Sequence, residues 1–246
     1  SPSELGVEEL DATMYSIPFN SITFHPSFSY EEFIEGIMPS VGSDGTIVYQ
    51  VKEGIFKTIC RTAFNSILQY LGIEKIWNSE SDIPNLTDEE KDHINSSSSE
   101  IPHFLMIDEI NRGEISRIFG ELITLLERDK RAGAPNQLPV TLPYSRTRFA
   151  IPPNLYIIGT MNTADKSIAL VDVALRRRFG FIEMLPDHAA LRKYLTHDSL
   201  DTQKIFTIAI DILEEINTRI SKEFDRDHQI GHSYLMRLKE CNSREQ

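Results

Sequence analysis

The spacing of apolar residues predicts strands alternating with helices along most of the chain. Residues 16–25 alternate between apolar and polar side chains, as in a half-buried strand, and residues 29–37 have helical spacing. From residue 51 to 71, apolar pairs recur at the interval of a helix with one broad buried face. Glycines 42 and 45, among polar neighbours, indicate a loop or hairpin between the two helices.

The second part of the chain continues the alternation and then becomes helical. Apolar runs predict strands at 103–107, 155–161 and 179–185, and prolines indicate a hairpin at 138–154. Helical spacing covers about 114–128, the stretch up to residue 178, and 202–224. Strands alternating with helices predict an α/β fold with a parallel sheet covered on both faces. The helical end predicts the start of a separate lid.

Residues 72–100 interrupt this pattern. They contain eight acidic residues and two lysines, and they end with the serine run 96–99 and Glu100. Such a composition is typical of a solvated segment. We therefore predict a flexible acidic insertion that adds nothing to the core.

Composition limits the possible classes of protein. The 246 residues are 40% hydrophobic and 25% charged, which suffices for one large domain or two small ones. No apolar run approaches the roughly 20 residues that span a bilayer, so we expect no membrane contact. Two cysteines form no framework and predict reduced thiols in a cytoplasmic protein. A net charge of −12 argues against the whole surface binding DNA, although a basic patch on an assembled ring remains compatible.

An acidic pair follows the apolar run at 103–107. Asp108 and Glu109 come where a strand would leave the sheet, and open α/β sheets bind ligands at that end. One carboxylate there can hold Mg²⁺ while its neighbour polarises an attacking water. The pair could instead be solvated acids that stabilise the start of the next helix.

An asparagine and three arginines are the other candidate groups. Asn162 ends the next strand, where its amide could donate to a γ-phosphate and accept from water, or could be an ordinary turn residue. Arg176, Arg177 and Arg178 cannot all face one way on a helix, because successive side chains lie about 100° apart. One could act as an arginine finger on a neighbouring subunit's nucleotide, and another could satisfy the helix end.

These motifs resemble the McrB family, the AAA+ GTPase motor subunits of modified-cytosine-dependent restriction systems. The segment "MNTADKSIALVDVALRRRF" (161–179) is the most specific match. Four further blocks follow the family's order: 24–37, 54–56, 107–131 and 230–234. The "DEINR" core at 108–112 is shared with other AAA+ groups, such as MoxR-like ATPases.

The resemblance assigns roles by position. It implies that Asp108 and Glu109 are the Walker B acids, with Asp108 on Mg²⁺, and that Asn162 is the sensor-1 asparagine. Asp165 matches the acid of the family's signature, while Lys166 replaces its usual arginine and loses the planar fork. Arg177 is the expected finger, with Arg178 beside it.

The resemblance also implies an AAA+ core and a lid. The core is expected to lack its phosphate loop, and the lid is expected to be partial. A phosphate loop needs Gly-x-x-x-x-Gly-Lys-Ser/Thr, and none of the twelve glycines precedes a lysine. We expect residues 1–186 to form an AAA+ core without this loop, and 187–246 to form a partial lid. Either the chain is part of a longer protein or it is a short form that lost its nucleotide site; intact acids favour the first. By itself, the chain is expected to be inactive.

The implied function is a GTP-hydrolysing or possibly ATP-hydrolysing motor in a homo-oligomeric ring. It would translocate DNA for an McrC-like nuclease subunit, with DNA contacted by other domains or by the assembled ring. Two alternatives stay open at this point: a MoxR-like ATPase that remodels proteins, and an inactive ring subunit that lends arginines to its neighbours.

Overall fold

The structure is a computed structural model that describes residues 18–41, 45–162 and 176–241. It divides into two compact units. The first, the core unit, contains the described residues up to Asn162 together with 176–179, and the second, the helical unit, contains those from Gly180 onward. No helix in the described ranges is long and apolar enough to cross a membrane.

Seven strands and eight helices make up the regular structure of the described ranges. The strands are β1 (Phe19–Thr23), β2 (Glu35–Val41), β3 (Ile47–Glu53), β4 (His103–Asp108), β5 (Val140–Thr141), β6 (Arg148–Phe149) and β7 (Leu155–Gly159). The helices are α1 (Tyr30–Phe33), α2 (Ile55–Tyr70), α3 (Asp88–Ser97), α4 (Ile115–Phe119), α5 (His188–Tyr194), α6 (Leu200–Glu223), α7 (Ser233–Met236) and α8 (Leu238–Cys241). Short 3₁₀ turns join several of them.

A three-stranded parallel sheet in the order β1–β4–β7 carries the core unit. Leu105 and Ile107 on the central strand β4 are fully buried on one face. On the other face, Phe104 stacks on Tyr156 with ring centroids 5.4 Å apart. The predicted α/β class with a parallel sheet is confirmed, and the shared direction of the three strands places all their carboxyl ends at one edge.

Helix α2 shares one hydrophobic cluster with the sheet, and glycines mark both of its ends. Gly54 precedes it, where a Cβ would lie 2.3 Å from the carbonyl carbon of Phe33. Gly72 follows it with φ +67, and the amide of the next residue, Ile73, donates to Leu68 O. Only glycine fits the first position without displacement, and the second is the usual left-handed end of a helix.

The predicted helix at 29–37 is one turn long and then becomes a strand. Ser29 and Glu32 cap its start reciprocally, and the helix ends at Phe33. The chain then enters the antiparallel ribbon of β2 and β3, whose register pairs Glu35 with Glu53 and Val41 with Ile47. The hairpin predicted from the glycines is therefore confirmed. Its strands also include residues 35–37 and 51–53, which apolar spacing had predicted to be helical.

Beyond the Glu35–Glu53 pair at its base, the β2–β3 ribbon has an apolar face. Residues directly opposite in an antiparallel pair share a face, and three such pairs here are apolar and exposed: Ile37 with Val51, Pro39 with Tyr49, and Val41 with Ile47. A two-stranded ribbon is only marginally stable alone. These six exposed side chains form an apolar surface on the core unit.

A buried ion pair fixes the base of the ribbon. The Glu35 carboxylate is fully buried and accepts from Lys57 Nζ at 2.8 Å, from Tyr144 N at 3.0 Å and from Ser145 N at 2.9 Å. Burial alone would raise the pKa of Glu35, but the hydrogen bonds from Lys57 and Ser145 outweigh it and lower the pKa. One carboxylate thus joins the ribbon, α2 and the β5–β6 turn.

The prediction of a flexible insertion at 72–100 that adds nothing to the core was wrong. Trp77 is 1% exposed, packs edge-on against Phe64 at 5.9 Å, and exchanges two backbone hydrogen bonds with the Asn65 side chain. Ile83 and Ile94 are also buried in the same cluster. The acidic residues lie mainly on the outside of the segment, whereas Trp77, Ile83 and Ile94 point inward, and composition averages hid that pattern.

Two further predictions differ from the structure. The helix expected at 114–128 stops after Phe119, because Gly120 takes φ +51 and ψ −131, and the chain continues as a 3₁₀ turn to Leu126. The run at 179–185 is not a strand in the described chain: residues 180–187 have no regular structure, and Ile182 is 86% exposed. An apolar run forms a strand only when a neighbour satisfies its backbone.

The helical unit packs α5 against α6. Its small core holds five apolar side chains, namely Leu191, Leu195, Phe206, Ile210 and Leu213. The buried Asn217 side chain exchanges two hydrogen bonds with the backbone of Ile230, at 2.7 and 2.9 Å. This amide holds the chain that follows α6 against the helix. The opposite face of α6 is also apolar and is exposed at Ile205, Ile208 and Ile212.

The packing of Trp77 predicts a large loss of stability when it is truncated. Trp77→Ala should lower the free energy of unfolding by about 3–5 kcal/mol, as is typical for a buried aromatic. Ile76→Ala is the matched control, because Ile76 is 70% exposed and should change stability by no more than about 0.5 kcal/mol. Urea denaturation of both variants measures this. Equal midpoints would restore the picture of an insertion outside the core.

The buried Glu35–Lys57 ion pair predicts that removing one partner destabilises the protein more than removing both. Glu35→Gln leaves the Lys57 ammonium without its anion and should cost about 3–5 kcal/mol. Adding Lys57→Met removes the stranded charge and should recover part of the loss.

The effect should also depend on pH. Because the folded-state pKa of Glu35 is lowered, its stabilisation is complete above the unfolded-state value of about 4.3 and is lost as pH falls through the folded-state value. Unfolding curves of wild type and Glu35→Gln should therefore converge in acid. A constant gap down to the acid limit would contradict this account.

Candidate active site

The carboxyl ends of β4 and β7 bring the predicted acids and amide together. Ile107 pairs with Gly159 at the last step of the ladder, so Asp108 and Glu109 emerge beside Thr160 and Asn162. Asp108 and Glu109 are partly buried, whereas Asn162 is exposed. The structure thus places these three predicted residues at one edge of the sheet.

Thr160 connects the end of β7 to the acidic pair. Its hydroxyl donates to Asp108 Oδ1 at 2.5 Å and accepts from the backbone N–H of Glu109 at 3.3 Å. Its backbone bonds Ile107 O and Ile110 N, each at 2.9 Å. Sequence reasoning missed this residue, because a threonine after a strand is common and only the parallel pairing shows what it faces.

Glu109 has an unusual backbone. Its φ of 53 and ψ of 44 lie in the left-handed region, which costs a non-glycine residue about 1–2 kcal/mol. The conformation turns the chain sharply out of β4 into the 3₁₀ turn Ile110–Arg112. Strain of this kind is typical of sites where a side chain must be aimed.

The Glu109 side chain lies beside Arg112. Arg112 Nε is 3.2 Å from Glu109 Oε2, close enough for an ion pair, although the angle is not that of a hydrogen bond. Glu109 is 26% exposed and Arg112 44%. A carboxylate with one oxygen near a cation and the other directed elsewhere can still polarise water, so the pair is compatible with the predicted role.

Asn111 links the two halves of the site. Its side-chain amide donates to the backbone carbonyl of Asn162 at 3.3 Å. The "DEINR" segment is therefore bonded to the predicted sensor position as well as to Thr160. Sequence reasoning assigned Asn111 no role.

In the arginine triplet, one side chain is held by an ion pair and the other two are exposed. Arg178 pairs with Glu127, Nη2 to Oε1 at 3.0 Å, and is only 15% exposed. Phe179 packs against the core cluster directly afterwards. Arg176 and Arg177 are exposed. Arg178 is therefore held in the core unit, and the predicted finger Arg177 projects beside a fixed neighbour.

Two signature residues cannot be placed. Asp165 and Lys166 lie outside the described residues. Their assignment remains a prediction from the motif.

The residues at the sheet edge fit Mg²⁺ of the kind used with nucleotides. Such an ion takes one or two carboxylates and completes its shell with water and phosphate oxygens. Asp108 supplies one carboxylate whose second oxygen accepts no hydrogen bond from the described residues. The ranges described contain no group of three or more His, Cys, Asp or Glu side chains that could hold a metal without such a ligand.

Comparison with known proteins agrees with this geometry. The AAA domain model of the dynein-related subfamily matches residues 7–179, and the model of the McrB alpha-helical lid domain matches residues 209–246. The chain is 35% identical over 224 residues to the type IV methyl-directed restriction enzyme EcoKMcrB subunit of Escherichia coli K12, covering 88% of this chain and 40% of that protein.

A second relative is more distant. The chain is 23% identical over 241 residues to component YdiS of the type II restriction enzyme BsuMI from Bacillus subtilis 168, covering 88% of this chain and 63% of that protein. The chain thus spans less than two thirds of either relative. The match of a single AAA model to most of the chain, followed by the McrB lid model, confirms the resemblance that the motifs predicted. This chain belongs to the AAA domain family, in its dynein-related subfamily, and carries an McrB-type helical lid.

Proposed function

We propose that this chain is the nucleotide-hydrolysing motor part of an McrB-like restriction subunit. It would hydrolyse GTP, or alternatively ATP, in a homo-oligomeric ring in the cytoplasm and so drive DNA translocation for an McrC-like nuclease subunit. The observation that carries the proposal is the meeting of Asp108, Glu109 and Asn162 at one sheet edge in a chain that ends in an McrB-type lid.

Each residue at this edge has a chemical task in the proposal. Bound Mg²⁺ would bridge phosphate oxygens and neutralise developing charge. Asp108 would hold the ion through the oxygen that Thr160 leaves open. Glu109 would polarise the attacking water, and the Asn162 amide would donate to the γ-phosphate and accept from that water.

Arg177 would act on the nucleotide of the neighbouring subunit. Its exposure, and the anchoring of Arg178 by Glu127, support an arginine presented outward from a fixed base. A guanidinium is suited to this task because its planar donors match phosphate oxygens.

The exposed apolar surfaces support the proposal that this chain functions in an oligomeric assembly. The apolar face of the β2–β3 ribbon and the outer face of α6 each group several exposed apolar side chains, and contiguous exposed apolar groups mark interaction sites. Both relatives are named as parts of restriction enzymes, one of them methyl-directed. These names favour restriction over protein remodelling, and a net charge of −12 favours DNA contact through other domains or the assembled ring.

The 246-residue chain alone should show no nucleotide turnover. It has no Gly-Lys step and so lacks the backbone nest and lysine that hold the β- and γ-phosphates. Phosphate release by the pure chain, with GTP or ATP and Mg²⁺, measures this. Turnover above a Glu109→Gln control would mean that phosphates are held in another way and would reopen the assignment of the site.

Mutations in the full-length protein separate the proposed roles of Glu109 and Arg177. Glu109→Gln keeps the shape of the side chain but removes its charge, so hydrolysis should fall about 10²–10⁴-fold while nucleotide binding persists. Arg177→Ala should reduce hydrolysis by about 10³–10⁵-fold. Arg176→Ala, at an equally exposed neighbour, is the matched control and should stay near wild type.

Mixing the two variants tests action between subunits. A Glu109→Gln subunit still offers its arginine, and an Arg177→Ala subunit still has its glutamate, so mixed rings should regain part of the activity. Steady-state turnover across mixing ratios, in rings shown to be mixed, measures this. No recovery at any ratio would count against Arg177 acting in trans. An inactive wild type would favour the inactive ring subunit instead.

A further inference from the structure

We infer that Thr160 is a positioning residue for the acidic pair, one whose hydroxyl orients the metal-holding carboxylate of Asp108 and steadies the turn at Glu109. The role rests on the proposed hydrolysis, since it describes how the same site is prepared. The residue touches neither substrate nor metal in this account and acts through Asp108 and Glu109.

The direction of the two hydroxyl bonds is fixed by chemistry. The backbone N–H of Glu109 can only donate, so the Thr160 oxygen accepts there. The single hydroxyl proton is then free for Asp108 Oδ1, 2.5 Å away, which as a carboxylate can only accept. One oxygen of Asp108 is thereby occupied and its rotamer is held, which leaves the other oxygen available to a cation.

The bond to Glu109 acts on the backbone. A glutamate in the left-handed region is disfavoured, and the Thr160 hydroxyl is the partner of its N–H among the described residues. The adjacent residue, Ile110, is held through the backbone carbonyl of Thr160. Thr160 therefore contacts three consecutive residues of the acidic segment, two of them through its hydroxyl.

The hydroxyl can be removed without disturbing the strand pairing. The backbone bonds of Thr160 to Ile107 and Ile110 do not depend on its side chain. Both bonds of the hydroxyl lie at an exposed position, so water can reach the Asp108 carboxylate and the Glu109 N–H in a valine variant. Loss of function in a Thr160→Val variant that melts like wild type would thus report on the site and not on the fold.

The test uses the full-length protein with three variants. Thr160→Val removes the hydroxyl and keeps the branched shape, and Thr160→Ser keeps the hydroxyl. Thr62→Val is the matched control, because the exposed Thr62 hydroxyl donates only to Thr58 O within α2. The measurements are kcat with GTP and ATP, the melting temperature, and the Kd of a non-hydrolysable triphosphate analogue in Mg²⁺ and in EDTA.

Thr160→Val should lower kcat about 10–100-fold, as is typical when a residue that orients a metal ligand is lost. It should reduce the gain in analogue affinity that Mg²⁺ provides, while the Kd in EDTA stays unchanged. Thr160→Ser should retain most of both properties, and Thr62→Val should match wild type.

The outcomes separate the inference from the proposed function. An active wild type with Thr160→Val equal to Thr62→Val in kcat and in Mg²⁺-dependent affinity overturns the inference alone. Equal losses in Thr160→Ser and Thr160→Val overturn it too, since the hydroxyl would then not be the cause. A wild type that neither binds nor hydrolyses nucleotide overturns the proposed function and this role with it.

Discussion

The parallel pairing of β4 with β7 is the constraint on which the site depends. The ladder runs from His103 with Leu155 to Ile107 with Gly159. A slip of one residue would turn every side chain to the opposite face and separate Thr160 from Asp108. The buried apolar residues of β4 prevent that slip, because Leu105 and Ile107 cannot be exposed without loss of the core. Hydrophobic burial therefore sets the positions of the polar groups at the strand ends.

The buried Glu35 carboxylate imposes a second, independent order on the core unit. A charge removed from water is tolerated only when it is paired and hydrogen-bonded. Lys57 and the adjacent residues Tyr144 and Ser145 meet that need from two segments that are distant in sequence. The apolar β2–β3 ribbon consequently leaves the core at a defined place. Its position is set by electrostatics at the base, while its exposed face contributes little to the fold of one chain.

How far sequence predicted the structure depended on whether a signal was local. The strands of the sheet, the acidic pair and Asn162 were predictable, since an apolar run followed by polar groups is a local pattern. Thr160 was not, because its partners lie on another strand. The packing of residues 72–100 was hidden for a different reason: a single tryptophan and a few isoleucines carry it among many acids.

Two differences show the limits of periodicity itself. Apolar spacing from 114 to 128 remains compatible with a buried inner face even though Gly120 breaks the helix, because 3₁₀ and α turns place residues similarly over short distances. The run at 179–185 has strand-like composition, but a strand also needs a partner for its backbone groups. Neither condition can be read from the residues concerned.

The exposure of the site gives a physical reason why the proposed hydrolysis would require an assembly of subunits. Thr160 and Asn162 are exposed, and the acids are only partly buried, so water reaches this edge of the isolated chain. Charge–charge interactions weaken greatly in water compared with a closed site, and closure is one way that enzymes strengthen them. An arginine arriving from a neighbour would add both the positive charge and part of the enclosure. Under the proposed function, control of hydrolysis by assembly would follow from the open geometry of the acidic pair.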